Sequence, residues 1–159
     1  MIDKLCKNGL RNLQSSAPTS LRARRMFQVT ADPEKNRLYV TLEGHLEPAE
    51  RLAASKAILV AIGQLRPGFD LVNNVSELHP TDTEGLNDLL RIQAAIKIKG
   101  VRSVIRIAKI PLTRLQVERT AERSGLEGGT AATVQEADER LDALGPSPAP
   151  EAPHEEGSS

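Results

Sequence analysis

Between Asp70 and Leu90 a short apolar strand, Phe69-Asp70-Leu71-Val72, leads through a polar turn into Thr81-Asp82-Thr83-Glu84-Gly85-Leu86 and then into an amphipathic helix. The Thr83 hydroxyl therefore falls where a helix begins. A helix N-terminus offers unpaired N–H groups and the positive end of a dipole to an anion, and a phosphate on Thr83 would be such an anion. The same residues have a plainer use. Thr81-x-x-Glu84 has the spacing of a capping box, in which Thr81, Asp82 and Glu84 do no more than satisfy the first N–H groups of the helix. The residues themselves leave both uses open.

A second group comprises Arg102 and Arg106, four apart on one expected strand and so on the same side of it, with Glu118, Arg119 and Arg123 on the following helix. Ligands of open α/β sheets bind beyond the carboxyl ends of the strands, so Arg106 and Arg119 are the candidates for an anionic small molecule. The competing use is Arg–Glu pairing over the sheet edge. Asp70, Glu43 and Asp88 read as solvated carboxylates without paired-acid spacing.

Catalytic chemistry finds no support elsewhere. Cys6 has no second cysteine for a disulfide or a zinc cluster, and His45, His79 and His154 lack the spacing of a metal pair, so they read as solvated loop residues. The chain contains no Gly-rich phosphate loop, no Gly-x-Ser-x-Gly elbow, no His-Glu-x-x-His and no Cys/His couple. The expectation is no enzyme, no catalytic residue, no metal and no cofactor.

Charge narrows the partners. The 159 residues carry 21 basic and 21 acidic side chains, with six Lys/Arg against one Asp in 1–25 and three Glu without Lys or Arg in 145–159. The middle is near neutral, which gives no footprint for nucleic acid or an anionic membrane. Neither a spanning run of about 18–20 apolar residues nor a secretory h-region is visible, and the expected location is the cytoplasm. Aromatics are scarce, so the core must be built from Leu, Ile, Val and Ala.

The chain divides into three segments. Residues 1–25 read as a basic flexible extension, with Met26 the alternative start and a targeting segment the rival. Residues 26–144 form the domain, and the Pro/Ala/Glu/Ser tail 145–159 reads as disordered. Within the domain the period-two runs 27–30 and 37–42, joined by a Pro/Asp/Asn turn, predict an antiparallel hairpin. A helix is expected over 48–65 with Leu52, Leu59 and Ile62 inward, a strand over 69–75, and a helix over 83–99 with Leu86, Leu89, Leu90, Ile92 and Ile96 as its apolar face. A strand over 101–108 precedes a helix over 113–124 capped by Thr113 and Gln116. A short edge strand over 128–132 then leads to a last helix, capped by Thr133 and Glu136, with Val134, Ala137, Leu141 and Leu144 inward. Strands alternating with helices require a mostly parallel sheet, its first strand an antiparallel edge.

That order, with Asp82-Thr83-Glu84-Gly85-Leu86 after a strand, resembles the STAS domain, named for sulfate transporters and anti-sigma factor antagonists, over about residues 27–144. The antagonists carry an Asp-Leu-Ser-like strand end, here Asn74-Val75-Ser76, and an Asp-Ser-Ser-Gly-Leu-like motif whose first hydroxyl a partner kinase phosphorylates. Here Glu84 replaces the second hydroxyl residue and Asn74 replaces the strand-end Asp. The resemblance implies a single STAS-like α/β domain with a mixed, mostly parallel sheet of four to five strands, an N-terminal antiparallel hairpin strand and about four helices. It implies a bacterial, non-enzymatic regulatory module that binds an anti-sigma kinase or another signalling protein. The binding loop would comprise Thr81, Asp82, Thr83, Glu84 and Gly85, with Thr83 the phosphorylation candidate. Two alternatives stand beside it: a small-ligand or lipid binder resembling CRAL-TRIO domains, with an apolar pocket under helices 86–99 and 113–124, and a self-associating scaffold subunit.

Overall fold

The computed structural model describes residues 26–146, so the expected extension 1–25 and the tail from Ser147 onward lie outside the described residues. The elements appear in the expected order: β1 (Phe27–Asp32), β2 (Arg37–Gly44), α1 (Pro48–Ile62), β3 (Asp70–Leu78), α2 (Thr83–Ile98), β4 (Ser103–Ile107), α3 (Pro111–Ser124), β5 (Gly129–Thr130) and α4 (Val134–Ala143). The five strands lie side by side in chain order, β1 antiparallel to β2 and each later pair parallel. No described helix is long and apolar enough to cross a membrane.

Alternation along the strands sorts side chains to two faces. Leu38, Val40, Leu71 and Val104 pack with Ile58, Ala61 and Ile62 of α1 and Ile96 of α2. Val72, Ile105 and Ile107 meet Ala137 and Leu141 of α4 on the other face. The hairpin is closed by Asp32, whose Oδ1 accepts from the amides of Glu34 and Lys35 at 3.1 Å each, and by Asn36 in the left-handed region at φ 53°. Buried Asn36 also exchanges two hydrogen bonds with the backbone of Arg66, tying the hairpin to the chain that enters β3.

Two inward faces and one carboxylate differ from expectation. Leu52 and Leu59 of α1 are 57% and 39% exposed, and Ala54, Ile58, Ala61 and Ile62 face the core instead. Apolar residues occupy most sides of this helix, so periodicity does not choose a face, and the small Ala side chains allow close approach to the sheet. Leu144 is 58% exposed because α4 ends at Ala143. Asp70 is fully buried rather than solvated: its two carboxylate oxygens accept from Arg102 Nε at 2.9 Å and Nη2 at 2.7 Å.

Charges fix the layer that α4 adds. Arg37, itself buried, donates Nη1 to Asp138 at 2.8 Å and Nη2 to Asp142 at 3.0 Å, while the Tyr39 hydroxyl donates to the same Asp138 oxygen at 2.7 Å. Arg102 extends the seam, donating to the carbonyls of Gly145 and Pro146 just past α4. Burial works against the Arg37 charge, but the hydrogen bonds, led by Asp138, outweigh it and hold its pKa above the usual.

Burial first, and then the hydrogen bond to the Asp138 carboxylate, push the Tyr39 phenol up to about 12. The chain has one tyrosine and no tryptophan, so phenolate absorbance reports Tyr39 alone. The neutral phenol is favoured by folding, so its contribution to stability is full below the ordinary tyrosine pKa of about 10 and is lost as pH rises toward the folded value. Alkaline spectrophotometric titration should place the wild-type midpoint well above the ordinary value and the Asp138→Asn midpoint below the wild-type one. An ordinary midpoint in wild type would contradict the geometry.

Candidate interaction site

The loop that presents Thr83 is shaped by the end of β3. Pairing with β2 shifts register between Thr41 and Glu43, which sit opposite Asn74 and Glu77. One extra β3 residue is accommodated there as a bulge, a device that bends a strand and re-aims the chain beyond it. Asn74 Oδ1 stabilises it locally, accepting from the Ser76 amide at 3.1 Å and the Ser76 hydroxyl at 2.7 Å. Thus Asn74-Val75-Ser76, read from sequence as a strand end, lies inside a strand that runs on to Leu78.

Helix α3 clamps the loop from the side. Gln116 Oε1 accepts from the Thr81 amide and Gln116 Nε2 donates to the Thr81 carbonyl, both at 2.9 Å. The buried Thr113 hydroxyl donates to the Leu78 carbonyl at 2.6 Å. These two residues do not cap α3, as their spacing suggested. The cap position is Ile110, with no side-chain bond, and Pro111 opens the helix, so Thr113 is already inside it. Pro at the first helical position was the sequence signal for that boundary. Their use as a clamp carries no local signature, because their acceptors lie 35 residues away.

Capping of α2 also differs from the expected Thr81-x-x-Glu84 box. Asp82 is the cap residue, its Oδ1 accepting from the Gly85 amide at 2.9 Å. Thr81 precedes the cap, and its side chain lies over Gly85: a Cβ added to Gly85 would come within 1.8 Å of Thr81 Oγ1. Gly85 is thus required for space rather than for an unusual backbone angle. Thr83 is the first residue of α2, exposed, with exposed Asp82 and Glu84 on either side. A phosphate on the Thr83 hydroxyl would add about two negative charges between two carboxylates at the positive end of the helix.

The structure separates the arginines. Arg102 precedes β4, outside its two-residue alternation, and turns to Asp70. Arg106 is 4% exposed and donates Nη2 to the Leu126 carbonyl. Burial holds the Arg106 pKa below the usual value, and the Glu118 carboxylate opposes that effect. Arg119 is exposed on α3 and Glu118 pairs with Arg114 at 2.8 Å, so Arg106 and Arg119 do not share a surface. Asp88, expected to be solvated, accepts from Arg51 Nε at 2.8 Å. His45 and His79 are exposed, as expected, and no group of three or more potential metal ligands occurs among the described residues.

No protein-family model matches the sequence, and no curated protein is similar to it in sequence. Among solved structures, the chain is similar to the anti-sigma factor antagonist SpoIIAA in its unphosphorylated form. The TM-score is 0.51 with 23% identity, over 74% of this chain and 96% of that one. At that identity the likeness establishes the fold: a mixed sheet with an antiparallel first pair, parallel remaining strands and four helices, shared with an anti-sigma factor antagonist.

The contact between Thr81 and Gly85 can be tested directly. Gly→Ala inside an exposed helix ordinarily gains up to about 1 kcal/mol from propensity. Gly85→Ala should instead lose about 1–3 kcal/mol in denaturant unfolding, because the methyl group displaces a side chain whose backbone Gln116 holds. Thr81→Ala in the same chain removes the Oγ1 and Cγ2 contacts but keeps Cβ, which an added Gly85 Cβ would approach to 2.9 Å, so it should recover part of that loss, giving a coupling of about 1 kcal/mol in a double-mutant cycle. Additive effects would mean that the two residues do not meet.

Proposed function

We propose that this protein is a non-enzymatic regulatory module of the anti-sigma factor antagonist type, acting in the bacterial cytoplasm. It binds a signalling protein such as an anti-sigma kinase through Thr81, Asp82, Thr83, Glu84 and Gly85 and the exposed side of α2, and phosphorylation of Thr83 releases the partner. The observation that supports this reading most is the contrast within five residues. Thr81 is held through both its backbone groups by Gln116, while Thr83, two positions on, is exposed on the first turn of α2. A loop fixed in this way presents a hydroxyl in one geometry without ordering cost at binding.

Charge supplies the switch. A partner that docks over the start of α2 meets Asp82 and Glu84 already, so its complementary surface is basic or polar. A phosphate on Thr83 enlarges the local negative field and adds bulk in the centre of the contact, and desolvating it on binding is costly. Glu84, where the antagonist motif carries a second hydroxyl, raises the negative field against which a kinase must work. Recognition by that kinase therefore draws on contacts beyond the motif, along α2.

An affinity pull-down from the native host with wild type, Thr83→Ala and Thr83→Glu tests this. The same kinase-like or sigma-regulatory partner should be recovered by wild type and Thr83→Ala, and purified partner should bind Thr83→Glu at least about tenfold more weakly, a difference of roughly 1.4 kcal/mol. Equal binding by all three forms of the protein would reject the switch.

A further inference from the structure

A trough open to solvent runs along the surface between α1 and α2. Leu52 and Leu59 of α1 form one wall, Ile92 and Ala95 of α2 form the other, and Asp88 stands at the rim. It lies on the side of α2 that faces α1, not under α2 and α3 where the sequence placed a pocket. Leu52 is 57% and Leu59 39% exposed, and Ile98, 82% exposed, lies one turn beyond Ala95. From Asp88 to Ile98 the strip is about 15 Å long. An apolar strip of that length suits an elongated body and marks an interaction surface.

The chain itself carries a matching body. Within the basic extension, Ile2, Leu5, Cys6, Leu10 and Leu13 recur at helical spacing and fall within an arc of about 140° on a helix of roughly 100° per residue. Lys4, Lys7 and Arg11 fall on the opposite side. As a helix, residues 2–14 would measure about 20 Å, enough to cover the strip. A helix this short, with Gly9 inside it, is marginal alone in water and needs a surface that buries its apolar side.

The point of entry puts that segment within reach. The Met26 carbonyl accepts from the Glu43 amide at 2.8 Å. Three residues on, the Leu46 carbonyl accepts from Arg51 Nη1 at 2.9 Å, and Arg51 lines the trough. The linker 15–25 spans up to about 36 Å when extended, more than twice the length of the strip. Charge agrees, because Arg22, Arg24 and Arg25 precede the entry point while Glu50, Asp82 and Glu84 lie at the starts of α1 and α2. Tethering gives the segment an effective concentration on the order of mM, an advantage that a second copy or a free partner lacks.

We infer that residues 2–14 dock in cis as an amphipathic helix along the trough between α1 and α2, with their apolar side against Leu52, Leu59, Ile92 and Ala95. Docked there, the segment covers the side of α2 that faces α1, and a partner that reaches across α2 toward α1 has to displace it. That consequence rests on the function proposed above, whereas the docking itself does not.

Cys6 is the only cysteine of the chain and belongs to the apolar arc, so the reactivity of its thiol reports docking. In the full chain Cys6 should react with dithionitrobenzoate at least about tenfold more slowly than in Leu10→Asp, a substitution outside the folded domain. Leu52→Asp and Leu59→Asp, each checked for folding by circular dichroism, should restore the fast rate. If Leu59→Asp does not fold, Leu52→Asp, at the more exposed position, decides. Protection should be equal at about 1 μM and about 100 μM protein, as tethering requires. It should also be unchanged in Thr83→Ala, which separates docking from the phosphorylation switch. A wild-type rate equal to that of Leu10→Asp, protection retained by a folded trough variant, or protection that grows with protein concentration, the mark of a second copy, would each overturn the inference.

Discussion

The central strand β3 must lose water from both faces, and most of the structure is a consequence of that requirement. Leu71 packs toward α1 and α2 while Val72, one residue on, packs toward α4. A parallel sheet buried in this way needs helices on both sides. Three crossover helices supply one layer, and the short α4 supplies the other. With only ten residues and few buried apolar side chains, α4 depends on the ionic seam from Arg37 and Tyr39 to Asp138 and Asp142 for its placement. The Asp70–Arg102 pair continues that seam at the start of β3, so the buried Asp70 carboxylate, like the buried Arg37 guanidinium, finds a partner where it would be costly alone.

At the other end of β3 the same strand is bent by a bulge and hands the chain to a loop fixed by α3. Gln116 and Thr113 belong to an element more than thirty residues away, so the geometry of the Thr83 loop is a property of the assembled sheet and not of the local sequence. This is the physical link between fold and proposed function. The loop is held by β3, α2 and α3 together, and in the proposed switch one charged group added to an exposed position in it changes binding without needing to change the fold.

Several features were legible in the sequence. The period-two run at Leu38–Val40, the apolar run at Leu71–Val72 and the Thr133–Glu136 cap have local causes, and each of these elements forms as the pattern predicts. The exposed position of Thr83 at a helix start was likewise readable from Asp82 and the apolar stripe after it. The features that were not readable depend on distant partners. Asp70 and Asp88 look solvated until Arg102 and Arg51 fold against them, and Arg106 looks available until Leu126 closes over it. The facing of α1 was undetermined because apolar side chains at Leu52, Leu59 and Val60 compete with those at Ile58 and Ile62, and only contact with the sheet decides between them.

In the proposed switch, modification of Thr83 is the event that releases the partner. Intact-mass measurement of the protein purified from its native host, before and after phosphatase, with the position fixed by fragmentation, tests it most directly. The switch requires a population carrying a single phosphate, removed by phosphatase and located on Thr83. A protein unmodified under every growth condition tested, or a phosphate on Ser76, Thr81 or any other residue with Thr83 bare, would contradict it.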